Sequence, residues 1–308
     1  MELHQLIQNY VEDCLIPQEQ ELKQIQARIR RVTNVLKSNS TFRPMEIRVA
    51  GSFAKKTMLA ERYEADLEFY YDRIQSDYSE LLYNAYKILS SNFKFAEVEL
   101  TPMTVQIRFD NGISIDVVAG FKANSPIQMA EVKNTNQYEV TTGQIHVEYV
   151  KIQKELYPIY TNIVRLGKKW RDEWNLKLKS INIELIVSVV LSRAYAIGIN
   201  EYDYLDVFYE FLGKIMSFCD GKPIRPVNWK YVKPDQITAK KSSVGVIIVD
   251  PGNPDDNLAQ QMTSEEVKKL RIAAAKGIQM IKDDNWEELW KKEITMSNIK
   301  SYKRRAYR

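Results

Sequence analysis

Two acids stand two residues apart in a short apolar run, Asp66-Leu67-Glu68-Phe69-Tyr70. Side chains alternate faces along a strand, so Asp66 and Glu68 point the same way. Carboxylates side by side repel each other unless a cation sits between them. A third acid, Asp116, interrupts the run Ile113-Ser114-Ile115-Asp116-Val117-Val118. An unpaired charge inside a core-like strand is expensive. Upstream, Ile47-Arg48-Val49-Ala50 reads as a strand that ends in a Gly51-Ser52 turn, with Thr57 shortly after. Glycine permits close backbone approach to a triphosphate, and a serine hydroxyl can donate to a phosphate oxygen. Carboxylate oxygens with such a turn suit Mg²⁺ (or Mn²⁺) and a nucleoside triphosphate. Two such ions about 4 Å apart can clamp the attacking and leaving oxygens of a phosphoryl displacement. Asp66 and Glu68 would bridge or flank the metals. Asp116 would serve the incoming hydroxyl, as ligand or base. This is not a Walker A loop, because no GKS or GKT follows a glycine-rich turn.

Each feature alone has a blander reading. A Gly-Ser turn is common. An Asp-x-Glu pair on a half-exposed strand is usually a polar face, and Asp116 could form a buried ion pair. The order of the parts carries the argument: turn, Thr57, acid pair at strand period, then an acid inside an apolar strand.

Those residues need a sheet, and the surrounding chain supplies one. Residues 2–14 have helical spacing, with Leu3, Ile7, Tyr10, Val11 and Cys14 on one face. Pro17 can open a second helix, running through Ile25, Ile29, Val32 and Leu36 to Lys37. The other face of that helix carries Lys23, Arg28, Arg31 and Lys37. It reads as a solvated surface, or alternatively as a phosphate-contacting surface for an activating RNA. Asp77–Ser91 reads as an amphipathic helix and Glu97–Leu100 as a strand. Thr104–Phe109 and Ile113–Val118 flank Asp110-Asn111-Gly112, a hairpin signal. From about Gln144 the pattern turns helical: His146–Tyr157, Ile159–Trp174 after a break at Pro158, Ser180–Ile197 and Tyr204–Phe218. Val244–Val249 is a strand or buried run that ends in the loop Asp250-Pro251-Gly252-Asn253-Pro254. Thr263-Ser264-Glu265-Glu266 is a capping box opening a helix to Ile281. A Trp-rich segment, Trp286–Trp290, and a basic tail, Lys303–Arg308, expected to be mobile, complete the chain.

Composition sets the bounds. The 308 residues are 44% hydrophobic and 27% charged, as in an ordinary globular protein with room for two lobes. A net charge of +4 permits polyanionic ligands without requiring nucleic acid. Two cysteines and two histidines leave little scope for a Cys/His zinc site or a disulfide framework. No apolar run approaches a membrane span, and the polar, acidic start does not resemble a signal peptide. A cytoplasmic protein without membrane contact is expected.

At these residues the chain resembles the polymerase-β-like nucleotidyltransferase superfamily. Its pattern is a Gly-Ser turn, then Asp-x-Asp or Asp-x-Glu, then a third Asp on a later strand. Val164-Arg165-Leu166-Gly167-Lys168-Lys169-Trp170 looks like the family's Lys-x-Trp helix. Ser180 with Glu184 looks like its Ser-x-x-x-Glu segment. Asp250-Pro251, Asn253-Pro254 and Asn257 look like its Asp-Pro…Asn loop. Together they resemble the oligoadenylate synthase and cyclic GMP–AMP synthase branch. Compact size points within it to the bacterial cGAS/DncV-like cyclic oligonucleotide synthases (CD-NTases) of antiphage signalling.

The resemblance implies an α+β, bilobal nucleotidyltransferase: a mixed-sheet core lobe and a helical, oligoadenylate synthase-like C-terminal lobe. Residues 1–38 would be N-terminal helices joining the lobes, 39–143 the catalytic core and 144–308 the helical lobe, with the active site in the cleft. Asp66, Glu68 and Asp116 would be the catalytic and metal-binding triad. Gly51 and Ser52 would touch the donor triphosphate, while Lys168 and Ser180 would bind its β/γ phosphates. The alternatives are a solvated helix lysine for Lys168 and an N-cap for Ser180, while Asn257 would shape the loop rather than touch substrate. Tyr63 and Tyr70 are candidates to stack on a base. ATP and other nucleoside triphosphates would be joined into a cyclic di- or trinucleotide, read by a downstream effector that binds the product rather than the enzyme. Three departures from the pattern stand out: Glu68 where many relatives have Asp, Lys56 where a glycine commonly precedes the motif threonine, and no zinc-binding insertion. Rival readings are an RNA-terminal or protein nucleotidyltransferase of the same fold, and a nucleic-acid-binding regulatory module with a vestigial site.

Overall fold

A computed structural model describes residues 3–39, 44–60, 62–71, 78–122, 129–133, 137–141, 143–196 and 204–290. The basic tail lies outside these residues. The chain divides into two compact units, one of Ile16–Ile152 with Pro251–Asn253, the other of Met1–Leu15, Gln153–Asp250 and Pro254–Arg308.

The first unit is a mixed sheet with helices. Helix α1 (Leu3–Tyr10) and a π-helical turn (Val11–Leu15) precede it, and α2 (Glu19–Ser38) opens it. Then come β1 (Glu46–Ala50), the short α3 (Gly51–Lys55), β2 (Glu64–Tyr71), α4 (Tyr78–Asn92), β3 (Glu97–Leu100), β4 (Val105–Arg108) and β5 (Ser114–Lys122). The strand order is β1-β2-β5-β4-β3. Strands β2 and β5 run parallel, and the other pairs are antiparallel. The strands obey the period of two. Ala65, Leu67 and Phe69 on β2, with Ile115 and Val117 on β5, enter a core shared with Ile25, Ile29, Val32 and Leu36 of α2 and Leu81, Leu82, Ala85 and Leu89 of α4. The intervening residues, including all three acids, therefore face away from that core. Each core aliphatic contributes roughly 1.5–3 kcal/mol of burial, so the acids ride on a rigid support.

Helix α5 (Gly143–Leu156) starts in the first unit and ends in the second, which is helical and holds α6 (Tyr160–Glu173), α7 (Ser180–Ala196), α8 (Tyr204–Cys219) and α9 (Ser264–Lys282). Gly167 lets α6 close on Ile183 and Phe211, where an added Cβ would come within 2.9 Å of Ile183. Trp170 meets Phe211 edge-on, and the Trp290 indole donates to Leu166 O at 3.2 Å. Thr263 caps α9 through a reciprocal pair with Glu266, as its Thr-x-x-Glu spacing implies.

The α+β class and the helical second half match the sequence expectation, and most elements fall within a residue or two of it. Two details differ, and one open alternative is decided. Pro17 lies ahead of α2, which starts at Glu19. A hairpin of β6 (Met129–Lys133) and β7 (Gln137–Thr141) extends the sheet beside β5, in a stretch the sequence left without elements. Val244–Val249 forms no strand ladder. It is a buried run with single bridges from Ile248 to Ile224 and from Val249 to Asn257. Among the described residues no helix is long and apolar enough to cross a membrane.

Candidate active site

The sheet register brings the acids together. Asp66 on β2 pairs with Asp116 on β5, and Asp116 pairs with Gln106 on β4. Paired residues share a face, so these three form a row across adjacent strands about 4.8 Å apart. Gln106 Nε2 donates to Asp116 Oδ1 at 2.8 Å. Burial, reinforced by Asp116 opposite, pushes the Asp66 carboxyl up to about 6, against the opposing pull of Lys55. Glu68 follows on the same face and is only 5% exposed. Its Oε2 accepts from Gln144 Nε2 at 2.9 Å and from the Tyr70 hydroxyl.

The Gly51-Ser52 turn lies against the same row. Ala50 pairs with Asp66 across the strands, and Gly51 then leaves β1 with φ +64°. A Cβ on Gly51 would fall 1.5 Å from Asp66 Oδ2, so both the torsion and the space require glycine. The turn continues as one short helix. Thr57 N donates to Ser52 O at 3.0 Å, and Thr57 is fully buried. Lys56, at the position where the family pattern carries glycine, adopts φ 57°, the left-handed region that glycine prefers.

Other candidate residues have different surroundings. Lys168 is buried, its side chain 4% exposed, with Nζ 3.6 Å from Oε1 of fully buried Glu184. It is an interior ion-pair partner joining α6 to α7, not a solvated lysine. Ser180 opens α7, and its Oγ accepts from Arg171 Nη1 at 3.2 Å. Asn257 shapes its loop as expected: its Oδ1 accepts from Ile248 N and Ala259 N at 2.9 and 3.0 Å, and its Nδ2 donates to Val246 O at 3.0 Å. Neither candidate base-stacking tyrosine is an open platform. Tyr70 is 2% exposed and holds Glu68, while Tyr63 donates to Glu21. Three of the four cations on the basic face of α2 also have intramolecular partners. Lys23 meets Glu19 at 2.7 Å, Arg28 lies 4.5 Å over the Phe109 ring and 3.7 Å from Asp110, and Arg31 lies 5.2 Å over Phe93. Lys37, the fourth cation of that face, is exposed.

Two residues at the site carry no sequence signal, Gln106 and Gln144, while Tyr70 was legible only as a stacking candidate. Gln106 and Gln144 are neutral amides, placed by strand register and by the start of α5.

The donor set suits a hard divalent cation. It offers carboxylate oxygens, with the Asp66–Asp116 pair already disfavouring two uncompensated charges. Among the described residues no three such side chains are already drawn into one cluster. Glu68 is the member held to one side, by Tyr70 and Gln144.

A parallel aspartate pair beside a Gly-Ser turn, on a mixed sheet followed by a helical unit, is the arrangement that the resemblance to polymerase-β-like nucleotidyltransferases implies. Residues 1–153 match the model of the Second Messenger Oligonucleotide or Dinucleotide Synthetase domain. The chain is 25% identical over 244 residues to the CBASS oligonucleotide cyclase CdnC of Escherichia coli strain KTE188, spanning 73% of this chain and 72% of that one. The structure of E. coli MS115-1 CdnC with ATP shares the fold at a TM-score of 0.77 and 21% identity, over 93% of this chain and 94% of that one. Bradyrhizobium diazoefficiens CdnG in complex with GTP shares it at 0.68 and 11% identity, over 98% and 99%. The chain belongs to the bacterial cGAS/DncV-like second-messenger synthetases, and it is a nucleotidyltransferase that makes cyclic oligonucleotides.

Proposed function

We propose that the Asp66–Asp116 row is the centre at which nucleoside triphosphates, ATP among them, are joined. A ribose hydroxyl attacks an α-phosphate and pyrophosphate leaves. Closure of the linear intermediate gives a cyclic di- or trinucleotide. The observation that carries this reading is the packing of Gly51 onto Asp66 beside Asp116. The backbone of the Gly-Ser turn thereby sits directly against Asp66. Asp66, Asp116 and Glu68 would hold Mg²⁺ or Mn²⁺, which when bound supplies charge neutralisation and an acidified hydroxyl. Gly51 and Ser52 orient the donor triphosphate, Ser52 through its hydroxyl. Asp116 Oδ2, the oxygen that Gln106 leaves to other partners, accepts the proton of the attacking hydroxyl. Positioning and charge compensation supply most of the rate, as in phosphoryl transfer generally.

A cytoplasmic, antiphage setting fits these substrates and relatives. The product, rather than the enzyme, would be what an effector binds. E. coli MS115-1 CdnC has been solved as a CdnC:HORMA-deltaN complex, and a protein partner of that kind is proposed for this chain also.

The test is incubation with four labelled nucleoside triphosphates and Mg²⁺ or Mn²⁺, then phosphatase treatment and mass spectrometry. A phosphatase-resistant cyclic product is expected, and Asp66→Asn and Asp116→Asn should each reduce it by roughly 10³-fold or more, as loss of a centre that stabilises transition-state charge does. A product undiminished in both variants would move the chemistry away from this row.

A further inference from the structure

Glu68 is a carboxylate buried to 5% exposure, and both of its hydrogen-bond donors are neutral; Arg48, opposite it on β1, interacts with its charge at longer range but turns its guanidinium to Glu46. No described cation lies within ion-pair distance of it. A buried acid is ordinarily either paired with a cation or protonated, because isolated charge is costly there. Glu68 instead has two uncharged donors, and both act on the same oxygen. Tyr70, two residues along the strand and 2% exposed, donates its hydroxyl to Oε2. Gln144, at the start of α5, donates Nε2 to Oε2 at 2.9 Å and also lies 3.3 Å from Val49 O of β1. The amide is thereby held between two strands.

The other oxygen, Oε1, accepts no hydrogen bond among the described residues. It lies over the backbone of Gly143, where an added Cβ would be 2.1 Å away. Gly143 does not have the positive φ of a turn glycine. Its lack of a side chain is a matter of space: any substituent would push the Glu68 carboxylate aside.

We propose that Tyr70, Gly143 and Gln144 form a positioning clamp on Glu68. The clamp fixes one oxygen with neutral donors, which leave the carboxylate's charge uncancelled, and keeps the other oxygen for a divalent cation. An arginine or lysine in place of Gln144 would hold the carboxylate equally well but cancel the charge the cation needs. A glutamate where many relatives carry aspartate has one more rotatable bond. The clamp removes that freedom. None of the three residues ligates the ion. Their effect passes through Glu68, as that of hydrogen-bonded outer residues at metal sites does. The proposal rests on the reading of Glu68 as a cation ligand.

The probe is Mn²⁺ alone, measured by calorimetry and electron paramagnetic resonance on the full chain, with the metal dependence of product formation alongside. The variants are Gln144→Leu, Tyr70→Phe, Gly143→Ala and, as control, Glu68→Gln. Gln144→Leu should weaken Mn²⁺ binding about 10–100-fold. It should raise the metal concentration for half-maximal turnover by a similar factor, and turnover should recover at saturating Mn²⁺. Tyr70→Phe keeps the ring in place, which guards against a folding defect, and should shift binding in the same direction. Gly143→Ala should do so as well, by displacing the carboxylate. Wild-type Mn²⁺ affinity in Gln144→Leu and Tyr70→Phe, with weakened binding in Glu68→Gln, would refute the clamp and leave the ligand role standing. Lower turnover at saturating metal with unchanged half-saturation would also refute it, because that is the signature of a merely structural role. Unchanged binding in Glu68→Gln would instead overturn the ligand reading on which the clamp depends.

Discussion

In the metal-free protein Asp66 keeps its proton up to about pH 6, against an ordinary 3.8, because burial and then the facing Asp116 disfavour its charge. The sign of the stability effect follows from linkage. Below pH 4 both folded and unfolded chains hold the proton. Between about 4 and 6 the folded chain holds it and the unfolded chain has lost it, so stability falls as pH rises. Above 6 the loss is complete and constant. The shift corresponds to roughly 1–3 kcal/mol. Urea unfolding in EDTA across pH 4–7 should show this decline in the wild type and a flatter profile in Asp66→Asn, which should be the more stable protein above pH 6 without metal. Equal profiles would mean that Asp66 ionises without strain. Lys168 presents a different case, since its charge is matched by Glu184 inside the helical unit. Removing one partner leaves the other buried and uncompensated, typically at a loss of about 3–5 kcal/mol. Lys168→Met should therefore destabilise strongly, and the double variant Lys168→Met/Glu184→Leu should recover much of the loss in a double-mutant cycle. A loss of activity with stability intact would instead return Lys168 to the phosphates.

The short α3 shows how one backbone torsion shapes an element. Its last turn closes at Lys56 in the left-handed region, with Lys56 N donating to Phe53 O at 3.2 Å. A non-glycine residue there is strained by about 1–2 kcal/mol, partly offset by its lower entropy when unfolded. Lys56→Gly should raise stability by roughly 0.5–1 kcal/mol in thermal unfolding, and a decrease would show that the lysine side chain contributes more than its torsion costs. Elements such as β2 and β5 were legible in the sequence because Leu67, Phe69, Ile115 and Val117 alternate with polar residues. The α9 cap was legible because Thr263 and Glu266 have a fixed spacing. The β6–β7 hairpin was not, since Met129–Lys133 and Gln137–Thr141 are short and mix polar and apolar residues without a strong turn signal. At the site, the acids were legible as charges in apolar runs. Their facing was not, because a parallel register is set by two distant strands. Gln106, Gln144 and Lys168 illustrate the same limit from the side-chain end. A neutral amide has no pattern of its own, and the partner that makes Lys168 an interior residue lies on another helix.

At the scale of the whole molecule, the site combines one local and one long-range pairing. Gly51 reaches Asp66 through the antiparallel β1–β2 pair, whereas Asp116 reaches it through the parallel β2–β5 pair, with α4, β3 and β4 intervening in the chain. A ligand that binds only the finished row stabilises the fold by mass action, about 2.7 kcal/mol at one hundred times its dissociation constant. The parallel register also bears on how a newly made chain acquires its shape. Long-range parallel pairing is a slow event in chain assembly. Here that event also requires two like charges to meet. Divalent ions should therefore speed the closing of β2 against β5 as well as steady the finished sheet. Stopped-flow refolding should accelerate with Mn²⁺ in the wild type and show no such dependence in Asp66→Asn. An unchanged wild-type rate would place the meeting of the two aspartates after the rate-limiting step. If the rate does rise, the ion used in turnover also serves the birth of the protein, and a chain emerging into metal-poor surroundings would linger longest with this strand pair open.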